Sequence, residues 1–156
     1  MAIYDSTDLA WSWDGDLDID LLGDIKDTRD VPLQAIIDVV QTIVKSETLE
    51  WEKDPMLGAD LSDFQGEPNT RETGKAIEAQ IKQALTAFKT INSSDLNVRV
   101  VPVHANQVLI SILINATPTS KNNLTVGEPL QLSLIYDTLE HNVFFLLPNN
   151  VEKASR

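Results

Sequence analysis

The first stretch suited to chemistry is residues 8–20, "DLAWSWDGDLDID", which holds five carboxylates and two tryptophans. Alternating carboxylates bind calcium in an EF-hand loop when a Gly supplies the sharp turn and a Glu closes the loop. Counted from Asp16, Leu21 stands at the Gly position and Asp27 at the Glu position. A strand would instead present the alternating Asp side chains in a row. The pattern favours an acidic strand face, and a small calcium-binding module remains an alternative.

A second group of carboxylates lies further along the chain, at Glu47, Glu50, Glu52 and Asp54. Paired carboxylates carry out glycoside hydrolysis, so a cell-wall hydrolase is another alternative. In an acidic chain such a cluster more often forms a solvated surface. The two histidines, His104 and His141, fall in or beside predicted strands without a patterned acid or Ser partner, so the sequence does not indicate a catalytic triad.

Composition and charge narrow the class of protein. The chain has 156 residues, 42% of them hydrophobic, which fits one globular domain, and it has no cysteine for disulfides or thiolate metal sites. Its net charge of −12 argues against nucleic acid and anionic membranes as partners, because both require clustered Lys and Arg. Residues 1–30 hold nine Asp against Lys26 and Arg29, a net charge of −7. This acidic segment is suited to a basic partner.

The acidic segment alternates between apolar and polar residues, which predicts strands with one apolar face. The apolar residues are all odd-numbered: Leu9, Trp11, Trp13, Leu17, Ile19 and Leu21. A loop over residues 14–16 would pair Trp13 with Leu17 and keep all six on the same face. We therefore predict a β-hairpin here.

Two helices are predicted next. Asp30 can cap the first, Pro32 suits its first turn, and its apolar stripe is Leu33, Ile36, Ile37, Val40, Ile43 and Val44. Asn69 is the predicted N-cap of the second, and Glu72 would complete a capping box. The second stripe is Ile77, Ile81, Ala84, Leu85 and Phe88.

The last third predicts an antiparallel meander. "LNVRVVPV", "QVLISILINA" and "PLQLSLIY" are β-branched or alternating runs, separated by a short turn and by a polar loop over residues 117–127. The apolar run at residues 143–147 predicts either a last strand completing the core or a site for a partner. The order of elements indicates an α+β fold, with an N-terminal hairpin and two main helices packed on an antiparallel meander.

Residues 51–85 carry a specific ordered pattern. Its positions are Trp51, Pro55, Gly58, Leu61, Phe64, Gly66, Pro68, Asn69 and Thr70, followed by an amphipathic helix. This pattern resembles the wedge, or sheath-initiator, proteins of contractile phage-tail baseplates, a family with a relative in type VI secretion baseplates. The resemblance extends over most of the chain, from about Leu9 to Tyr136. Many members carry a Glu-Pro-Arg triplet before the first meander strand, which contributes to the wedge contact. Here that place has "NSSDLNVR", and we do not transfer the triplet's role to Arg99.

The resemblance implies a structural protein of the virion, without enzymatic activity or cofactor, made in the host cytoplasm and present in several copies. Its implied partners are other wedge proteins, the tail sheath protein and the central hub or tube. Its implied role is to join wedge proteins and to template the first sheath ring through an exposed sheet edge. We expect a single domain comprising an acidic hairpin arm (1–28), a core (30–137) and a C-terminal strand and tail (138–156). The candidate interface residues are Trp11, Trp13, Asp16, Asp18, Asp20, Phe144 and Phe145.

Overall fold

The computed structural model describes residues 9, 17, 19, 21–25, 32–87, 91–115 and 129–146. Within these ranges lie two α-helices, α1 (Pro32–Lys45) and α2 (Arg71–Ala87), with a short 3₁₀ helix (Leu61–Phe64) between them. Four strands follow: β1 (Leu96–His104), β2 (Gln107–Ile114), β3 (Leu130–Asp137) and β4 (Asn142–Leu146). No helix in this part of the chain is long and apolar enough to cross a membrane.

The strands form one antiparallel sheet in the order β1-β2-β3-β4, which confirms the predicted meander and α+β class. Short turns join β1 to β2 and β3 to β4, and short turns of this kind favour antiparallel neighbours. The predicted loop at 117–127 lies outside the described residues. The register of β1 against β2 shifts between Pro102 and His104, close to their connecting turn.

One face of the sheet is the core face. On β2 and β3 every second residue is buried, as expected for strands with a single covered side. The helices cover this face, with α2 packed against β1, so that a Cβ added to Gly74 would lie 3.7 Å from Val100 Cγ1. The predicted helical stripes are buried at these positions: Ile36, Ile37, Val40, Ile43, Val44, Ile77, Ile81, Ala84 and Leu85.

The start of α2 differs from the prediction by one residue. The N-cap is Thr70, whose Oγ1 accepts a hydrogen bond from the backbone N–H of Thr73 at 3.2 Å. The predicted cap at Asn69 with its Glu72 partner is therefore wrong. Thr70 wins this role because Asn69 is engaged elsewhere: its side-chain amide donates to the carbonyl oxygens of His104 and Gln107.

Little of the acidic arm is described. Ile19 forms an isolated antiparallel bridge with Ile25 around a turn in which Gly23 has φ +87°. The predicted 14–16 turn lies outside the described residues, as do Asp30 and Phe88. Leu9 and Ile19 are exposed, and Leu21 is fully so. These three apolar side chains are therefore outside the domain's core.

Candidate protein-interaction surfaces

The nine positions of the baseplate-like pattern all lie between α1 and the first residue of α2. Most of them make packing or hydrogen-bond contacts within the domain. Leu61 is buried in the core and Phe64 packs against it. The carbonyl of Pro55 accepts a hydrogen bond from the backbone N–H of Leu49 at 2.7 Å, and the carbonyl of Pro68 accepts one from the Thr73 hydroxyl at 2.8 Å. The residues of the pattern therefore serve mainly to stabilise the structure of this region.

Gly58 closes a loop over residues 46–58, which we call the Trp51 loop. A Cβ at Gly58 would lie 2.5 Å from the carbonyl carbon of Glu47 and 2.6 Å from the backbone nitrogen of Thr48. The adjacent Ala59 N–H donates to the Ser46 carbonyl at 3.0 Å. Only glycine allows this close approach of two backbone segments.

Gly66 and Asn69 attach the same region to the sheet. The Gly66 N–H donates to the carbonyl of Thr138 at 2.9 Å, and the Thr138 N–H donates to the carbonyl of Asn106 at 2.8 Å. Thr138 is buried and lies just beyond β3, while Asn106 lies in the β1–β2 turn. Together with the bonds from Asn69, these contacts fasten the entrance of α2 to both turns at one end of the sheet.

A cluster of side chains joins the Trp51 loop to the β3–β4 turn. The Glu47 carboxylate accepts hydrogen bonds from the Ser62 hydroxyl at 2.8 Å and from the Ser62 N–H at 3.3 Å. His141 Nε2 lies 3.4 Å from Glu47 Oε1, and His141 Nδ1 lies 3.1 Å from the Tyr136 hydroxyl. That hydroxyl donates to the Leu61 carbonyl at 2.5 Å.

Burial raises the pKa of Tyr136 to about 12, assisted by the negative charges of Glu47 and Asp137.

This cluster gives His141 the partners that the sequence pattern did not reveal, because Glu47 lies far away in the chain. In a nucleophilic triad the histidine lies between the hydroxyl and the acid. Here the acid lies between Ser62 and His141, and the Ser62 hydroxyl donates to the carboxylate, so the order of groups differs from that of a triad. The cluster connects the Trp51 loop, the 3₁₀ helix and the β3–β4 turn. Glu50 also has a structural contact, since its carboxylate accepts the Glu47 N–H at 3.1 Å.

The β3–β4 turn is held by Asp137. Its pKa is lowered by the hydrogen bond from the Gln107 side chain, and further by the backbone N–H groups of Glu140 and Leu139. The three donors lie 2.9–3.2 Å from its carboxylate oxygens. The turn that leads into β4 is thus fixed to β2 as well as to β3.

The two phenylalanines of the candidate interface face opposite ways. Phe145 packs against the core, and its ring centroid is 5.3 Å from Lys45 Nζ, a cation–π distance. Phe144 is 53% exposed on the outer face of the sheet. In the described part of the run at 143–147, Val143 and Phe145 complete the core, as expected for a last strand, while Phe144 and Leu146 remain exposed.

Phe144 ends an apolar row that crosses the outer face of the sheet. The strand register places Val101 opposite Leu109, Leu109 opposite Ile135 and Ile135 opposite Phe144. We call these four residues the outer row. The rows beside it are more polar, one containing Arg99, Ser111, Ser133 and, on β4, Leu146, the other containing His104, Gln107, Asp137 and Asn142.

The Trp51 loop also exposes apolar side chains. Leu49, Trp51 and Met56 are 80%, 49% and 72% exposed. The Trp51 Nε1–H donates to the Ser46 hydroxyl at 2.9 Å, which fixes the base of an otherwise exposed indole. Trp51 is thus the one member of the baseplate-like pattern that combines a large apolar exposed surface with a fixed position.

The remaining candidate interface residues, Trp11, Trp13, Asp16, Asp18 and Asp20, lie outside the described residues. Among the residues that the structure does describe, no group of three or more His, Asp or Glu side chains could hold a metal ion. The sequence matches no protein-family model, and its comparison with curated proteins yields no significant match.

Proposed function

We propose that this protein is a structural component of a contractile-tail baseplate, an inner wedge or sheath initiator. In this role it joins wedge proteins and presents a sheet edge on which the first ring of the tail sheath assembles. The proposal rests on the resemblance in residues 51–85, and the observation that carries it further is that β4 is an outer strand of the sheet formed by the described residues. The acidic arm, with its net charge of −7 over residues 1–30, supplies a second contact for basic side chains of a neighbouring wedge protein.

The open edge suits strand addition. Within the described residues, β1 and β4 are the two outer strands of the sheet. An unpaired edge strand offers a row of backbone donors and acceptors to another chain. An added strand next to β4 would also extend the outer row beyond Phe144, so apolar side chains of the partner would be buried there as well.

The two edges are not equivalent. β1 contains Pro102, which lacks an N–H, and its register is irregular before His104. Proline and irregular register are devices that protect an edge from pairing. β4 is short but contains neither a proline nor a register shift. We therefore assign the presented edge to β4.

The test introduces a charge at each edge in turn. Phe144→Lys places an ammonium group at the β4 end of the outer row, and Val101→Lys places one at the β1 end. The two sites form a matched pair, because Phe144 and Val101 are 53% and 52% exposed. Each variant replaces the wild-type gene in a phage that encodes this protein, and tails are counted and measured by electron microscopy. We expect Phe144→Lys to yield baseplates without sheath and Val101→Lys to yield normal tails.

Thermal unfolding of both purified variants provides the control. Exposed substitutions of this kind change stability little, so both should melt close to the wild type. Sheathed tails of normal length from a correctly folded Phe144→Lys variant would refute the assignment of β4. Normal tails after deletion of the whole gene would refute the baseplate function itself.

A further inference from the structure

The Trp51 loop is a second projecting surface, separate from the β4 edge and the outer row. Exposed apolar side chains scattered singly need no explanation, but three large ones within a loop of this size are unusual. The loop is closed by the hydrogen bond from the Leu49 N–H to the Pro55 carbonyl, which places the neighbouring Met56 beside Leu49 in the backbone. The exposed side chains of Leu49, Trp51 and Met56 therefore all extend from one compact loop.

The loop is fixed before any partner binds. Besides the bond of the Trp51 indole to Ser46, the Thr48 N–H donates to the Asp60 carboxylate at 2.6 Å and the Leu57 N–H donates to the Asp54 carbonyl at 2.9 Å. A side chain that is already ordered loses little conformational entropy on binding. Aromatic residues held in this way are the usual anchors of protein interfaces.

The backbone of Leu49 supports the same interpretation. Leu49 has φ +68°, a left-handed conformation that is unfavourable for a residue with a branched apolar side chain. The strained conformation leaves its side chain 80% exposed, so it gains no burial within the domain. Backbone strain of this kind is concentrated at functional sites of proteins.

The charged residues of the loop indicate what kind of partner surface it can bind. Glu50, Glu52 and Asp54 are interspersed in the sequence with the apolar residues of the loop, and Lys53 is the only Lys or Arg between residues 46 and 58. An anionic membrane or a nucleic acid would be repelled by these carboxylates. A second copy of this chain, with a net charge of −12, would be repelled as well. A protein surface with an apolar pocket surrounded by Lys and Arg side chains is complementary to the loop.

We propose that the Trp51 loop is a preorganised anchor that inserts Leu49, Trp51 and Met56 into an apolar pocket rimmed by Lys and Arg on a partner protein. This inference does not depend on the baseplate function, because it follows from the exposure, strain and charge of the loop alone.

A photo-crosslinking amino acid placed at Lys53, an exposed position in the Trp51 loop, tests the contact while leaving Leu49, Trp51 and Met56 in place, in cells that produce the protein with its natural partners. A second variant carries the same group at Lys75, an exposed position on α2, as the matched control. We expect a crosslink from position 53 and not from position 75, and mass spectrometry should place it on a protein segment rich in Lys or Arg. A crosslink to another copy of this chain, or equal crosslinking from both positions, would overturn the proposal.

The affinity of variants of this protein for the purified crosslinked partner then distinguishes residues that anchor the complex from residues that merely lie near the partner. Trp51→Ala should weaken binding by about 30-fold or more, as truncation of an aromatic anchor does. Glu52→Lys should slow association and make it less sensitive to salt, whereas Lys75→Ala should leave binding unchanged.

Vesicles of phosphatidylcholine and phosphatidylglycerol should not bind the wild type. Unchanged affinity of Trp51→Ala, or binding to those vesicles, would refute the anchor, while the Phe144→Lys result would be unaffected.

Discussion

The Tyr136 hydroxyl donates a 2.5 Å hydrogen bond to the carbonyl oxygen of Leu61, 75 residues earlier in the chain. Both residues are fully buried, and the bond joins the end of β3 to the 3₁₀ helix that follows the Trp51 loop. The position of the loop relative to the sheet therefore depends on this contact.

Tyr136→Phe should lower the free energy of unfolding by about 1–3 kcal/mol, because it leaves the buried Leu61 carbonyl without its donor. Urea denaturation near neutral pH measures this change. The slope of the free energy with urea should stay that of the wild type, since the variant buries the same surface. An unchanged midpoint would show that the hydrogen bond adds nothing to stability.

The same residue predicts a loss of stability at alkaline pH. An unfolded tyrosine ionises at a pKa of 10.0, whereas Tyr136 is raised to about 12 in the folded chain by burial and by neighbouring negative charges. Its contribution is fully present below the unfolded pKa and is lost as the pH rises through the folded pKa, for a total of about 2–3 kcal/mol. Denaturation measured across this window should show the decline.

Tyr136→Phe is the control for that measurement, because it cannot ionise. Its curve should start lower than the wild-type curve and should decline less over the same range of pH. Parallel declines in the two proteins would assign the alkaline effect to other groups.

Gly58→Ala should destabilise the domain by about 3 kcal/mol or more, because the added Cβ meets the backbone of residues 47–48 at 2.5–2.6 Å. Gly66→Ala is the matched control: Gly66 also has positive φ, +78°, but nothing lies within 4 Å of its added Cβ. It should cost only about 1–2 kcal/mol of backbone strain. Thermal and urea unfolding of the two variants compare them directly, and equal losses would contradict the close approach at Gly58.

Thr70→Ala should cost about 1 kcal/mol, because it removes the N-cap of α2. Glu72→Ala should change the free energy of unfolding by less than about 0.5 kcal/mol, as at an ordinary exposed position. Urea denaturation of both variants tests the corrected helix start. A larger effect at Glu72 than at Thr70 would restore the original prediction of a capping box.

Adjacent residues on β4 should respond differently to truncation. Phe145→Ala should cost about 2 kcal/mol or more, because the ring packs on the core and contacts Lys45. Phe144→Ala should cost less than about 1 kcal/mol, because the side chain is 53% exposed. Differential scanning calorimetry of both variants is sufficient, and reversed magnitudes would mean that β4 pairs in the opposite register.

The elements of the fold could be predicted because they follow from local periodicity. Ile77, Ile81 and Leu85 recur at helical spacing, and the alternation through Val108, Ile110 and Ile112 specifies a strand with one buried face. These positions are buried as predicted. The order of the strands followed in the same way, since short connections leave antiparallel neighbours as the simple arrangement.

The site could be predicted less well because its contacts are long-range. The sequence predicts Asn69 as the N-cap of α2. Its side-chain amide instead donates hydrogen bonds to the carbonyl oxygens of His104 and Gln107 on either side of the β1–β2 turn, and no local pattern encodes these contacts. The partners of His141 lie partly on β3 and partly beyond α1 for the same reason. In contrast, the baseplate-like pattern did indicate where the chain is tightly connected, since Gly58, Gly66 and Asn69 each make a contact with a distant segment.

The outer row bears on how copies of the protein meet one another in solution. Four apolar residues that reach an outer strand of the described sheet would favour adhesion between copies, which is how sheets begin to aggregate. The net charge of −12 opposes this by keeping copies apart, although at cellular salt such repulsion extends only about 8 Å. The surplus of carboxylates thus gives the protein colloidal stability despite the apolar side chains on the outer face of its sheet.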